Sequence, residues 1–178
     1  PMRSMLGTDT FERSAAKEVA CPFTGRRLIA IPALYPDVSF IHVHESDRLG
    51  NARIKGIGVA DFDLARASKR LVLTTERLVS TDEIRSDSNA TTIPSYCVDA
   101  VCVVPYGSYP GNMPGEYFSD EAHLKMWLDV EKDEKEYETF LERYILGVDD
   151  HATYLEQCGG ESRIAELRAS ELMAEDGN

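Results

Sequence analysis

The chain has 178 residues, 43% of them hydrophobic, and a formal net charge of −12 at pH 7 from 31 Asp and Glu against 19 Lys and Arg. That length and composition predict one soluble domain over residues 1–178, with enough apolar residues for a real core. The charge is uneven: residues 1–115 carry 13 charges of each sign, so the whole acidic excess lies in residues 116–178, which argues against nucleic acid or an anionic membrane as a partner.

Cys21, Cys97, Cys102 and Cys158 form neither a CxxC pair nor the dense spacing of a disulfide scaffold, so free thiols and a cytoplasmic setting are expected. No apolar run approaches the roughly 20 residues of a membrane span, and the first residues lack the layout of a signal peptide. The stretch from Pro1 to Thr10 reads as a loop already inside a domain, so an upstream portion of the polypeptide is expected to be missing.

In chain order, Leu28–Ile31 is a short strand stopped by Pro32, and Val38–His44 is a stronger one, rich in β-branched and aromatic residues. Asp47-Arg48-Leu49-Gly50-Asn51 reads as a turn that leads into a paired strand over Ala52–Ile57. From Ala60 the apolar spacing becomes helical as far as Lys69-Arg70, and Leu71–Thr75 follows as a nearly continuous buried strand. Thr81–Ala90 is polar with a helical turn, and Ser86-Asp87-Ser88-Asn89 marks a loop. Cys97–Val104 is strand-like at its Val101–Val104 end. Pro105–Gly115 holds three Pro and three Gly in eleven residues, too many for regular structure. The acidic remainder, 116–178, is helical: Asp120–Val130, Glu134–Leu146 and Glu161–Ala174 have apolar residues at three- and four-residue intervals, with Gly159-Gly160 breaking the last helix from its predecessor. A helix feeding a strand is the grammar of an α/β sheet.

Several residue groups are candidates for chemistry. His42 and His44 alternate on one face of a strand with Glu45 and Asp47 close by, but a metal would need a third ligand, and none has recognisable spacing. There is no nucleophile elbow, and Gly56-Ile57-Gly58 lacks the full GxGxxG pattern of a phosphate turn. Arg3 and Ser4, in Arg3-Ser-Met-Leu-Gly-Thr-Asp9, suit a carboxylate or phosphate through bidentate and backbone bonds; Asp9 capping a turn is the competing reading. Tyr106, Ser108, Tyr109, Asn112, Met113 and Tyr117 either line a pocket for an acyl or pantetheine arm or pack as a compact surface loop.

Read consecutively, Arg3-Ser-Met-Leu-Gly-Thr-Asp9, Cys21-Pro-Phe-Thr-Gly25, Ile31-Pro-Ala-Leu-Tyr-Pro-Asp37, Ile41-His-Val-His44, Asp47-Arg-Leu-Gly-Asn51 and Ala65-Arg-Ala-Ser-Lys-Arg70 resemble successive blocks of the A subunit of glutaconate-type CoA-transferases. The likeness covers residues 1–155. It implies a CoA-transferase-like α/β fold, three-layered, with an open, mainly parallel sheet flanked by helices. It further implies pairing with a B subunit in a hetero-oligomer of AB pairs, and an active site at their junction. The family's chemistry uses a glutamate that attacks the acyl-CoA thioester and passes through an acyl-glutamyl anhydride to a glutamyl-CoA thioester. In the glutaconate type that glutamate belongs to the B subunit, and the glycine-rich segment expected upstream is absent from this sequence. No catalytic residue is therefore assigned to this chain, neither Glu45 nor Glu76. The resemblance places Arg3 and Ser4 near the acyl carboxylate or CoA, Gly50 and Asn51 near the site, and Tyr106, Ser108 and Tyr109 in its wall. Coenzyme A would be a substrate, with a dicarboxylyl or 3-oxoacyl group, and no cofactor would be bound permanently. Relatives with this pattern also resemble CoA-ester hydrolases of steroid ring degradation, and a noncatalytic assembly module is the remaining alternative.

Overall fold

The computed structural model describes residues 2–176, with side chains described through Leu172. The chain divides into two compact units, Pro1–Pro36 and Asp37–Asn178.

In the first unit, Thr8 caps the short helix α1 (Asp9–Glu12) by accepting the Phe11 amide at 3.3 Å. Strands β1 (Lys17–Ala20) and β2 (Arg27–Ala30) pair antiparallel, and Met2 bridges to Ile29, which is fully buried. The expected strand at Leu28–Ile31 is β2, displaced by one residue. Its partner β1 has no signal in the sequence, because all four residues of Lys-Glu-Val-Ala are exposed and show no apolar alternation.

The second unit holds a four-stranded sheet of β3 (Ser39–Ser46), β4 (Ala52–Arg53), β5 (Leu71–Leu78) and β6 (Ala100–Val103), in the order β4-β3-β5-β6. β3, β5 and β6 run parallel and β4 is an antiparallel edge, so the sheet is open and mainly parallel, as expected. Alternation by two sends Ile41 and Val43 of β3, with Leu71, Leu73 and Thr75 of β5, to one buried face. Helix α2 (Asp61–Ala67) covers that face with Leu64 and Ala65, and Ala52 and Ile93 complete the cluster. The opposite face carries Phe40, His42, Thr74 and Glu76; Phe40 is 70% exposed.

Two strands depart from the sequence reading. The expected strand Ala52–Ile57 is only two residues long, because the Lys55 amide turns away to a side chain, the imidazole of His44, at 3.1 Å. β5 runs three residues past Thr75, through Glu76 and Arg77, whose charges find partners within the fold. Ser80 caps α3 (Thr81–Ser86), and the residues around Cys97 form a helical turn before β6 begins.

The acidic region is helical: α4 (Glu121–Val130), α5 (Glu134–Leu141) running on as a π-helical stretch (Glu142–Leu146), α6 (His151–Gln157) and α7 (Gly160–Asp176). Helix α6 had no bounds of its own in the sequence reading, which expected the region as a whole to be helical. A second core joins the Pro/Gly loop to α7 through Tyr109, Met113, Tyr117, Ile164 and Leu167. At its edge Asp120, 2% exposed, caps α4 by accepting the His123 amide, accepts the Tyr109 hydroxyl at 2.8 Å, and receives the Arg163 guanidinium at 2.9 and 2.8 Å. The Arg163 hydrogen bonds, set against burial, hold the Asp120 carboxyl well below the usual carboxylate range.

Arg163→Met leaves Asp120 buried without its cation, and should cost about 3–5 kcal/mol of unfolding free energy in urea titrations. Because the folded value lies below the unfolded value of about 3.9, the clamp's contribution is full above that pH and is lost as pH falls beneath it. Acid unfolding of the variant should accordingly be less steep below pH 4 than that of the wild type.

Candidate functional site

Open α/β sheets bind ligands outside the carboxyl ends of their parallel strands. At that end of this sheet lie the turn after β3, the last residues of β5, and the Pro/Gly loop that follows β6.

Glu76, on β5, has a side chain only 7% exposed and meets three donors. Its Oε1 accepts from His42 Nε2 at 2.7 Å and from the Tyr117 hydroxyl at 2.6 Å, and its Oε2 accepts the Tyr106 amide at 2.6 Å. An ionised carboxylate only accepts, so His42 Nε2 carries the proton, while its Nδ1 meets Thr74 Oγ1 at 2.9 Å. Burial pushes the Glu76 carboxyl up, but the bonds from His42, Tyr117 and the Tyr106 amide outweigh it and hold the group below its ordinary value. Burial and the facing Glu76 carboxylate raise the Tyr117 phenol strongly, so it stays protonated as a donor.

The loop descends onto this carboxylate. The Val104 amide donates to Thr75 O at 2.8 Å, Tyr106 turns the chain with φ of +61°, and the Ser108 amide donates to the Tyr117 oxygen at 3.1 Å. A left-handed backbone at a large non-glycine residue costs about 1–3 kcal/mol and persists only where neighbours impose it. Gly107 follows because the loop passes hard against the strand: a Cβ there would stand 2.5 Å from His42 Cε1. The Tyr106 ring meets Tyr117 edge-on at 5.5 Å.

Beside this network, Arg77 bridges two carboxylates, Glu45 and Glu116, the latter at 2.6 Å. Lys55 Nζ stands 3.7 Å from Glu45 and 3.6 Å from Glu116, and Arg53 is 3.5 Å from the other Glu45 oxygen. Burial opposes ionisation of Glu45, and the Arg77 bond overcomes it, so the net displacement is downward. Arg53 also donates to the carbonyls of Glu83, Ile84 and Asp87 at the end of α3.

His42 and His44 do not converge on a common ligand. His44 Nδ1 accepts the Lys55 amide, so its proton is on Nε2, donated to Pro114 O at 2.8 Å. Both nitrogens of each imidazole are occupied, and among the described residues no group of His, Cys, Asp and Glu is arranged to hold a metal ion.

The residues singled out from sequence fall into separate places. Arg3 lies in the first unit with Arg26 and Arg27 around an exposed depression, where Arg27 is paired to Glu18, and Ser4 donates weakly to Met2 Sδ. Gly50 and Asn51 are in the second unit and brace the turn: the buried Asp47 accepts the Leu49 and Asn51 amides and the Asn51 side chain, and Asn51 Oδ1 accepts the Ser95 amide. Gly50 has φ of +94°, and a Cβ there would come within 2.8 Å of Val98. Tyr109 is 6% exposed, in the second core, with its hydroxyl spent on Asp120. Tyr106 and Ser108 belong to the Glu76 network, with Tyr106 half-buried. The network itself was missed. Its one sequence signal is the charged pair Glu76-Arg77 continuing an apolar strand.

Burial drives the His44 imidazole below its usual pKa. The unfolded form therefore binds the proton more readily, so this contribution to stability is complete above about pH 6.5 and declines as pH falls through that value. Nitrogen-detected NMR on lowering the pH should find His44 protonating at a lower pH than a free imidazole, and in the Nε2–H form while it is neutral.

Comparison with known proteins follows the same lines. The family model described as Coenzyme A transferase matches residues 1–103. An uncharacterized protein of Archaeoglobus fulgidus is 46% identical over 98% of this chain and 39% of its own length. The A subunit of glutaconate CoA-transferase from Acidaminococcus fermentans is 34% identical over 85% of this chain and 48% of its own. The crystal structure of glutaconate coenzyme A-transferase from that organism superposes with a TM-score of 0.82, covering 86% of this chain and 48% of the other. The cholesterol ring-cleaving hydrolase IpdA subunit of Mycobacterium tuberculosis is 28% identical over 84% of this chain and 54% of its own. The chain spans about half the length of these relatives, or less. With a family model matching more than half of its residues and an open, mainly parallel α/β sheet in common, the chain belongs to the coenzyme A transferase family.

Proposed function

We propose that this chain is part of the A subunit of a two-subunit CoA-transferase that moves CoA between an acyl-CoA, with a dicarboxylyl or 3-oxoacyl group, and a carboxylic acid. The observation that carries this reading is the likeness in sequence and fold to the A subunit of glutaconate CoA-transferase. In the proposed reaction the thioester carbonyl is attacked by a glutamate of a partner B subunit, and CoA leaves as thiolate. The thiolate then takes the glutamyl carbonyl and releases the first acid, and a second carboxylate repeats the exchange.

The site geometry supports placing the nucleophile elsewhere. Glu76 has both oxygens committed to donors, and Glu45 is held by Arg77, Lys55 and Arg53; a carboxylate stabilised in this way is a poor nucleophile. This chain would supply binding and shape. Arg3 and Ser4 of the first unit would receive the acyl carboxylate or a CoA phosphate; in the second unit Tyr106 and Ser108 would face the substrate, with Gly50 and Asn51 fixing the turn and Tyr109 the loop. Coenzyme A enters as a substrate, and no permanent cofactor is part of the proposal. The proposed complex is a cytoplasmic hetero-oligomer of AB pairs; among the described residues no helix is long and apolar enough to cross a membrane. The relationship to the IpdA subunit favours a second reading, CoA-ester hydrolysis, and the two diverge on whether the B subunit carries the attacking glutamate.

The chain alone should show no CoA exchange between an acyl-CoA donor and acetate, and co-expression with a B-type subunit should give a single complex on size exclusion. Exchange by the isolated chain, or persistent elution as two species, would overturn the proposal. In the complete complex Arg3→Ala should lower kcat/KM for dicarboxylyl-CoA substrates by about tenfold, the scale of one lost charge-assisted hydrogen bond. Unchanged kinetics would remove Arg3 from the site.

A further inference from the structure

We propose that Glu76 is a positioning residue that presets the substrate-facing loop by holding Tyr106 in its left-handed conformation. The inference rests on reading the chain as part of a CoA-transferase A subunit.

Three observations converge. Tyr106 adopts φ of +61°, a region that bulky residues avoid, at the carboxyl end of a parallel sheet where ligands bind. Its amide is fixed by a buried carboxylate at 2.6 Å, a charge-assisted bond stronger than a neutral one, and its carbonyl is tied by the Tyr109 amide at 3.1 Å. The same carboxylate receives the Tyr117 hydroxyl, and the Tyr117 ring supports the Tyr106 ring from the edge.

The consequence lies on the far side of the tyrosine. Pro105 and Tyr106 form one wall of an open groove of about 760 Å³, and Leu155, Ile164, Ala165 and Ala169 of α6 and α7 form the other. That volume is within the range of small-molecule sites, and these side chains suit the apolar part of an acyl-CoA. The ring therefore stands between a polar anchor beneath it and an apolar groove beside it. Releasing the Tyr106 amide lets the backbone relax to negative φ, which swings the ring and removes the wall. Glu76 thus acts on the substrate through Tyr106, without touching it.

The test uses the complete two-subunit complex. Glu76→Ala should raise KM for the acyl-CoA about tenfold while kcat falls less than threefold; a purely structural role would lower the yield of active complex or kcat at constant KM. Glu76→Gln keeps a carbonyl oxygen for the Tyr106 amide, and His42 can exchange tautomers to match the new amide group, so KM should return to within threefold of wild type. Tyr106→Gly, which accommodates the left-handed backbone but lacks the ring, should reproduce the KM defect. Adding Glu76→Ala to it should change KM no further.

Additive effects in that cycle, or an unaltered KM in Glu76→Ala, would overturn the inference. If Glu76→Ala fails to assemble, Glu76→Gln and Tyr106→Gly decide it through KM alone. A wild-type complex without CoA transfer would sink the functional reading instead. Amide exchange at Tyr106–Ser108 would still test the clamp, since protection there must fall in Glu76→Ala, and equal protection in the two proteins would refute it.

Discussion

A carboxylate removed from water must be met by donors, and the donors that meet Glu76 come from three parts of the chain. His42 is on the neighbouring strand, Tyr106 is in the loop after β6, and Tyr117 is at that loop's far end. Leaving an ionised carboxyl buried without them would cost several kcal/mol, so the loop cannot drift from the sheet while Glu76 stays charged and buried. With the second core, the Tyr109–Asp120 bond and the His44–Pro114 bond, this side chain helps to convert a segment with three prolines and three glycines into a fixed surface. The left-handed Tyr106 and the close pass of Gly107 over His42 are the marks of that constraint.

The other buried charges extend the same logic outward. Arg77, next to Glu76 in sequence and so directed to the other side of the strand, ties Glu45 on β3 to Glu116 at the end of the loop. Asp120, four residues on, is clamped by Arg163 of α7 and by Tyr109 from within the loop. Sheet, loop and terminal helices are therefore joined by ionic pairs as well as by the second core. This accounts for part of the acidic excess in residues 116–178: Glu116 and Asp120 have cationic partners inside the fold, whereas most of the rest lie on solvated helix faces.

Apolar residues at two-, three- or four-residue intervals made β3, the first half of β5 and the helices α2, α4, α5 and α7 legible in the sequence, and in β3, β5 and α7 those positions are buried. This spacing was silent where burial was absent or too brief. β1 is exposed throughout and α6 is two turns, while the strand read over Ala52–Ile57 keeps only its first two residues, as β4. It also stopped β5 early, since Glu76 and Arg77 look like a strand end until their partners are known. Those partners are 30 or more residues distant, and no local pattern encodes such pairs. The loop's tyrosines were likewise visible as a group but not by role: Tyr109 and Tyr117 are buried and hold the loop, and Tyr106 alone of the three remains half-buried.

These roles bear on where a reaction could take place. Glu45, Glu76 and Asp47 at the carboxyl end of the sheet all have lowered pKa values, and each has its oxygens occupied. A nucleophilic carboxylate needs at least one oxygen free to approach a thioester carbonyl, and its lone pairs must not be spent on cations. In the proposed function, the interactions that make this end of the sheet rigid would leave its carboxylates to structure rather than to attack on a thioester. On the proposed function, a rigid wall whose own acids are committed would suit a cleft completed by another polypeptide.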